Sequence, residues 1–191
     1  MADIVEKLEN SVAMGRARHA YLLSGADSER TDGIARRIAA LLLFGEPDVA
    51  RLTEAPDCIE TDGSVTIARF RDELLPEIYR ETYASERRAV IFRSAHLLSQ
   101  MVQNAMLKVL EEPPENTHFI LTGNEYGLLP TIRSRCTIVR CPAPKAEEIE
   151  RELISRGANR ITAQNCAAMS GGVIGRAVRL CEDESFRAMR S

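Results

Sequence analysis

The sequence predicts an α/β fold: a parallel sheet flanked by helices, followed by a smaller all-helical unit. Three observations carry that prediction. Five short apolar runs alternate with stretches of helical periodicity, the alternation from which parallel sheets are built. The first run, at residues 19–24, is followed by Gly25, a polar loop and a helix-periodic segment, which is the opening of a βαβ unit. After Pro142-Ala143-Pro144 no strand pattern recurs and the periodicity is helical to the end.

Each element has a local reason. Residues 2–16 set Ile4, Val5, Leu8 and Val12 at near-helical spacing and stop at Gly15, the pattern of an amphipathic helix. His19-Ala-Tyr-Leu-Leu-Ser24 is the first strand, and residues 34–43 restore helical periodicity. Residues 44–57 read as a connector and Cys58-Ile59-Glu60 as a short strand. A helix is predicted over 66–83, kinked near Pro76, which has no N–H to donate. Ala89-Val90-Ile91-Phe92 is continuously apolar, as a strand buried on both faces should be. Ser99 is placed to cap a helix with Val102, Met106, Val109 and Leu110 on its inner face, ended by Pro113-Pro114. Residues 118–122 and 137–141 are the fourth and fifth strands. Three helices follow, near 145–156, 162–170 and 174–188, with Gly157 and Gly171-Gly172 as stops. The expected division is a sheet domain over 1–142 and a three-helix subdomain over 143–191.

With 191 residues, 45% hydrophobic and 28% charged, the chain suits one α/β domain plus a small appendage. Its formal charge is −3. The helical piece holds 8 basic against 7 acidic residues, which leaves 17 of the 25 basic and 21 of the 28 acidic residues for the rest. Neither piece is therefore a basic nucleic-acid module, because phosphate binding is mostly neutralisation by Lys and Arg, and work on DNA would need partners. No signal peptide and no apolar run of membrane-spanning length is found, so a cytoplasmic location is expected. Five cysteines (Cys58, Cys136, Cys141, Cys166, Cys181) with no CxxC pair fit neither a disulfide framework nor a zinc ribbon and are expected to be reduced and mostly buried. His19, His96 and His118 are scattered and read as satisfied structural residues. No metal or cofactor is expected.

HAYLLSG stands where a phosphate-binding loop would follow a strand. It is joined downstream by LEEPP, from Leu110 to Pro114, and by Ser134-Arg135-Cys136. On these motifs the chain resembles the AAA+ domain of the bacterial DNA polymerase III clamp loader, in its gamma/tau and delta-prime subunits, over essentially its whole length. The resemblance implies a P-loop NTPase-like five-stranded sheet domain and a helical lid. It also implies a helical collar domain beyond the lid, so the sequence reads as truncated before the collar. Many relatives carry a four-cysteine zinc module between the first helix and second strand; residues 44–57 contain no cysteine, and no zinc site is expected.

Function turns on departures from an ATPase. A working P-loop needs glycines whose N–H groups face phosphates, a Lys for the β/γ-phosphates and a Ser/Thr for Mg²⁺. Gly25 is kept, but Ser28 and Arg30 replace internal glycines, Thr31 stands at the lysine position and Asp32 at the hydroxyl position. Asp27, Glu29 and Asp32 bring negative charge to the place of a triphosphate, and Arg30 alone cannot offset them. A Walker B strand ends in acidic residues that serve Mg²⁺ and the attacking water; here Arg93 and Ser94 follow the strand. The resemblance also implies a sensor 2 arginine in the lid, at the place occupied by Gly175, with Arg176 about 100° away around the helix.

This is the pattern of the non-hydrolysing delta-prime type. Ser134-Arg135-Cys136 is retained, and in the resembling family its arginine is a finger projected into a neighbour's ATP site; Cys136 is expected to pack behind it. Glu111 and Glu112 read as the end of a helix at a subunit-facing edge rather than as an acid/base pair. The resemblance implies gamma/tau and delta subunits as partners, with the sliding clamp and primer–template DNA met through the assembled ring. Two other readings stay open: an ATP-binding gamma-like subunit with an unusual P-loop, and an inert scaffold.

Overall fold

The computed structural model describes residues 2–183, with side chains from Glu6 onward. It divides into two compact units, Met1–Cys141 and Pro142–Ser191. In the first, the order is α1 (Ala2–Ala13), β1 (Ala20–Ser24), α2 (Ser28–Phe44), β2 (Cys58–Thr61), a helix built from α3 (Ile67–Arg69), a π turn (Phe70–Leu74) and α4 (Leu75–Tyr79), then β3 (Arg88–Phe92), α5 (Gln100–Glu111), β4 (Thr117–Thr122), α6 (Pro130–Arg133) and β5 (Thr137–Arg140). All strand pairings are parallel, in the order β2-β3-β4-β1-β5.

Alternate residues along each strand point to opposite faces, and both faces are apolar. Ala20, Leu22, Val90, Phe92, Phe119 and Leu121 pack with Phe70, Ile78, Val102, Met106 and Leu110 on one side. Tyr21, Leu23, Ala89, Ile91 and Ile120 pack with Val12, Ile34, Ile38 and Leu42 on the other. The Ser99 side chain accepts from the N–H of Val102, and the four predicted inner residues of α5 are buried. Leu8 and Val12 are buried on α1; the side chains of Ile4 and Val5 lie outside the described residues.

Three local expectations are corrected. Helix α2 begins at Ser28, six residues before the apolar periodicity does. The connector contains a 3₁₀ segment, Val49–Glu54, capped by Asp48. The helix expected over 66–83 ends at Tyr79. In that helix the N–H of Leu75 reaches back to the carbonyl of Phe70, a π turn immediately before Pro76, which is where the missing donor was expected to disturb the ladder. Its end has a separate cause. Arg88 is 2% exposed, and its guanidinium donates to the carbonyls of Glu77, Ile78 (3.0 Å), Arg80 and Glu81 (3.0 Å), satisfying acceptors that a further helical turn would otherwise use.

The second unit holds α7 (Ala146–Ser155), α8 (Arg160–Met169) and α9 (Ile174–Glu182) around Ile149, Leu153, Ala163, Cys166 and Ala177. Gly157, Gly171 and Gly172 lie in the left-handed region at the predicted stops. Residues 184–188 of the expected third helix lie outside the described residues. No helix among the described residues is long and apolar enough to cross a membrane.

Candidate functional site: the carboxyl edge of the sheet and the Ser-Arg-Cys turn

In a parallel sheet the loops after the strands gather at one edge, where ligands of such folds bind. Here that edge carries Gly25–Asp27 after β1, Arg93 and Ser94 after β3, and Gly123 and Asn124 after β4; Gly25, Ala26, Ser94, His96, Gly123 and Asn124 line a cleft of about 630 Å³. Only three residues separate β1 from α2. Gly25 is required by packing: a Cβ there would sit 2.8 Å from the Cys141 carbonyl oxygen and 3.0 Å from Thr31 Cγ2. Residues 28–33, expected as loop, form the first turns of α2, so Arg30, Thr31 and Asp32 lie on a helix.

The side chains at this edge are occupied by one another. Asp27, 2% exposed, caps α2 by accepting from the N–H of Arg30 at 3.3 Å. A helix N-terminus attracts anions because its N–H groups are unpaired, and in this chain the anion is part of the protein. Thr31 is buried and its hydroxyl donates to the Ser28 carbonyl at 3.0 Å. Asp32 accepts from the hydroxyl of Thr122 at 2.6 Å, and Thr122 accepts from the N–H of Ser94 at 3.1 Å, so α2, β4 and the end of β3 are tied in one chain of hydrogen bonds. Burial raises the pKa of Asp32, against the pull of the Thr122 hydrogen bond and of Arg93. Arg93 faces Glu60 of β2 at 2.8 Å, and Arg36 of α2 meets the same carboxylate at 2.8 Å.

The Ser-Arg-Cys turn lies elsewhere. β1 and β5 run parallel with Tyr21 beside Thr137 and Ser24 beside Arg140. Residues 134–136 precede β5 and Gly25 follows β1, so the two are at opposite edges: Thr137, level with Tyr21, is already four residues short of Gly25, about 13 Å along the strands at ~3.3 Å per residue. Gln103, buried on α5, holds the approach to this turn: its Nε2 donates to the Leu98 carbonyl at 2.9 Å and its Oε1 accepts from the N–H of Leu129 at 2.9 Å, just before α6. Arg135 Nη1 donates to the Thr131 carbonyl at 2.7 Å, and Nη2 pairs with Glu111. Cys136 packs against the core beneath, and burial pushes its thiol up to about 12, which suits packing rather than nucleophilic use.

His118 meets its expectation, with Nδ1 2.8 Å from the Arg18 carbonyl and its pKa lowered by burial despite that bond. His96 does not: its Nδ1 is buried without a hydrogen-bond partner among the described residues, with Gly123 packed onto the ring and Gly127 against its Cβ. Sequence reasoning also missed Gln103, Glu60 and the buried pair of Arg88 with Asp57 at 3.6 Å. For Gln103 a signal existed, since it stands one helical turn after the Ser99 cap on the apolar face; for the others the partners are far apart in sequence.

The family model for DNA polymerase III, delta subunit, matches residues 1–145. The DNA polymerase III gamma subunit of Buchnera aphidicola (subsp. Acyrthosiphon pisum) is 33% identical over 160 residues, covering 76% of this chain and 44% of that protein. The delta-prime subunit of Pseudomonas aeruginosa is 32% identical over 182 residues, covering 83% and 55%. The chain thus spans about half the length of these relatives. Among solved structures, a DNA polymerase III gamma subunit-related protein of Thermotoga maritima has a TM-score of 0.63 at 22% identity over 98% of this chain and 62% of that one. The RuvB Holliday junction branch migration motor of the same organism has a TM-score of 0.65 at 20% identity over 94% and 58%. The shared fold is that of AAA+ domains.

Proposed function

This chain belongs to the family of DNA polymerase III clamp-loader subunits, and we propose that it is a non-hydrolysing, delta-prime-type member that acts on a neighbour's ATP through Arg135. The observation that carries the reading is the buried Asp27 carboxylate on the N-terminus of α2. A triphosphate bound there would have to displace the chain's own anion and would face Asp32 instead of a Mg²⁺-binding hydroxyl. It would also find Thr31, its hydroxyl turned to a carbonyl, in place of a lysine. Arg93, engaged by Glu60, offers no base or metal ligand. On this reading the first unit is a sheet domain without an ATP site of its own, the second is a lid, and the protein needs no metal or nucleotide cofactor.

Arg135 lies at the opposite edge from Gly25, so any nucleotide it serves belongs to another subunit. A guanidinium is always charged and donates in a planar fork that matches phosphate oxygens, and fingers supplied in trans are worth ~10³–10⁵ in rate in other NTPases. The partners proposed are a gamma/tau-type ATPase subunit and the delta subunit, in a cytoplasmic assembly that places a sliding clamp on primer–template DNA.

Calorimetric titration with Mg-ATP tests the first half: no binding in the micromolar range is expected, and such binding lost on substitution in residues 25–32 would instead make the chain a gamma-like ATPase. Arg135→Ala in the assembled complex tests the second half. It should lower the partner's ATP turnover by two orders of magnitude or more, and unchanged turnover would leave an inert scaffold.

A further inference from the structure

Glu111 closes α5 and Glu112 caps it, at the end of a helix where unpaired carbonyls already carry partial negative charge and a carboxylate is disfavoured. The cation that meets Glu111 comes from 24 residues away, through Nη2 of Arg135. Nη1 of the same guanidinium is held by the Thr131 carbonyl at 2.7 Å. Both terminal nitrogens, the end of the fork a phosphate would use, are therefore turned onto the chain's own surface. The pair is not sealed in the core: the two side chains are 31% and 48% exposed, and ion pairs so placed are weak enough to exchange. A triphosphate is the stronger competitor, since it is multiply charged and takes the fork in two parallel bonds.

We propose that Glu111 is a cis latch on Arg135: it holds the guanidinium folded back until a neighbouring subunit's nucleoside triphosphate replaces the carboxylate. This rests on the reading of Arg135 as a finger in trans. Removing the latch leaves the guanidinium free for phosphate and favours the engaged state by the strength of an exposed pair, an increase of about 1.5- to 5-fold in apparent engagement. The adjacent carboxylate of Glu112 has the same charge and serves as the control.

The test uses the full chain assembled with a gamma/tau-type ATPase subunit, with ATP turnover measured at subsaturating ATP for Glu111→Gln, Glu112→Gln, Arg135→Ala and the double variant Glu111→Gln/Arg135→Ala. Glu111→Gln should raise turnover by about 1.5- to 5-fold, Glu112→Gln should leave it unchanged, and the double variant should match Arg135→Ala. If Arg135→Ala has no effect, the finger reading fails and the latch with it. If Arg135→Ala lowers turnover while Glu111→Gln leaves it unchanged or lowers it, the latch alone is overturned. The same holds if Glu112→Gln gives an equal rise, since local charge rather than the bond is then responsible.

Discussion

Asp57→Ala should be among the most destabilising single substitutions in the first unit, although Asp57 stands in a connector. Its carboxylate accepts from the N–H groups of Tyr83 (2.7 Å), Ala84 (2.8 Å) and Ser85 (2.9 Å) and from the Ser85 hydroxyl (3.1 Å). It also faces Arg88 at 3.6 Å, with both side chains 2% exposed. Truncation leaves a buried guanidinium without its counter-charge, a loss that costs ~3–5 kcal/mol in comparable pairs. At ~2–4 °C per kcal/mol for a domain of this size, the melting temperature should fall by roughly 6–20 °C. Urea denaturation followed by circular dichroism measures the difference directly. The effect should also depend on pH with a definite sign. Burial alone would raise the pKa of Asp57, but the hydrogen bonds from Ala84, Tyr83 and Ser85 outweigh it and hold the pKa below the ordinary 3.8. A carboxylate so depressed contributes its stability in full above the unfolded value and loses it as pH falls through the folded one. The gap between the parent chain and Asp57→Ala should therefore be constant between neutral pH and about pH 5, and close below about pH 4. A loss under about 1 kcal/mol at pH 7, the range of an exposed pair, would refute the assignment of Asp57 and Arg88 as a buried, mutually dependent node.

Two further outcomes follow from packing. Gly25→Ala places a methyl group against a backbone oxygen that cannot yield and should cost ~1–3 kcal/mol, whereas Gly33→Ala, in α2 with open space around the new carbon, should gain ~0.5–1 kcal/mol; chemical denaturation of both variants checks the contrast. Cys136, with its thiol pushed up to about 12 from an ordinary 9.0, should be alkylated by iodoacetamide at pH 8 about a thousandfold more slowly in the native chain than in urea, the ratio of the two thiolate fractions, and a difference of less than about tenfold would remove the packing assignment.

The strands were legible because a parallel sheet covered on both sides needs apolar residues at every position, and Ala89–Phe92 and Phe119–Leu121 answer that need without interruption. The α5 cap was legible for a similar reason, since Ser99 and the inner face of its helix are local features. What could not be read was any element whose end is set by a distant side chain. Arg87 and Arg88 stand in sequence only as two arginines before the apolar run 89–92, yet Arg88 turns inward and takes the carbonyls of Glu77, Ile78, Arg80 and Glu81. Helical propensity over 80–83 loses to that competition, and neither partner's sequence neighbourhood announces it.

The same distinction separates what was and was not legible at the carboxyl edge. Residue types alone lead to the expectation that Thr31, Asp32, Arg93 and Ser94 do not serve Mg-ATP and that Asp27, Glu29 and Asp32 act together as a repulsive cluster. The structure divides those three carboxylates. Glu29 is exposed, Asp27 is spent on the helix N-terminus, and Asp32 is spent on Thr122, which in turn holds Ser94. Repulsion between charges at a wet surface is weak and screened, whereas an N–H already bonded to the cap carboxylate, as that of Arg30 is, must be freed before any phosphate can use it. On the proposed reading a triphosphate at this edge would therefore meet a helix end where the N–H of Arg30 is already taken by Asp27, a different obstacle from charge repulsion. Arg135 shows the converse case. Its fork is also engaged, but by an exposed carboxylate and one carbonyl, an arrangement that phosphate can exchange. The chain buries the carboxylate on the N-terminus of α2 and leaves the carboxylate that meets Arg135 at the surface, so on the proposed reading the first edge is closed to nucleotide and the second is open to a neighbour's.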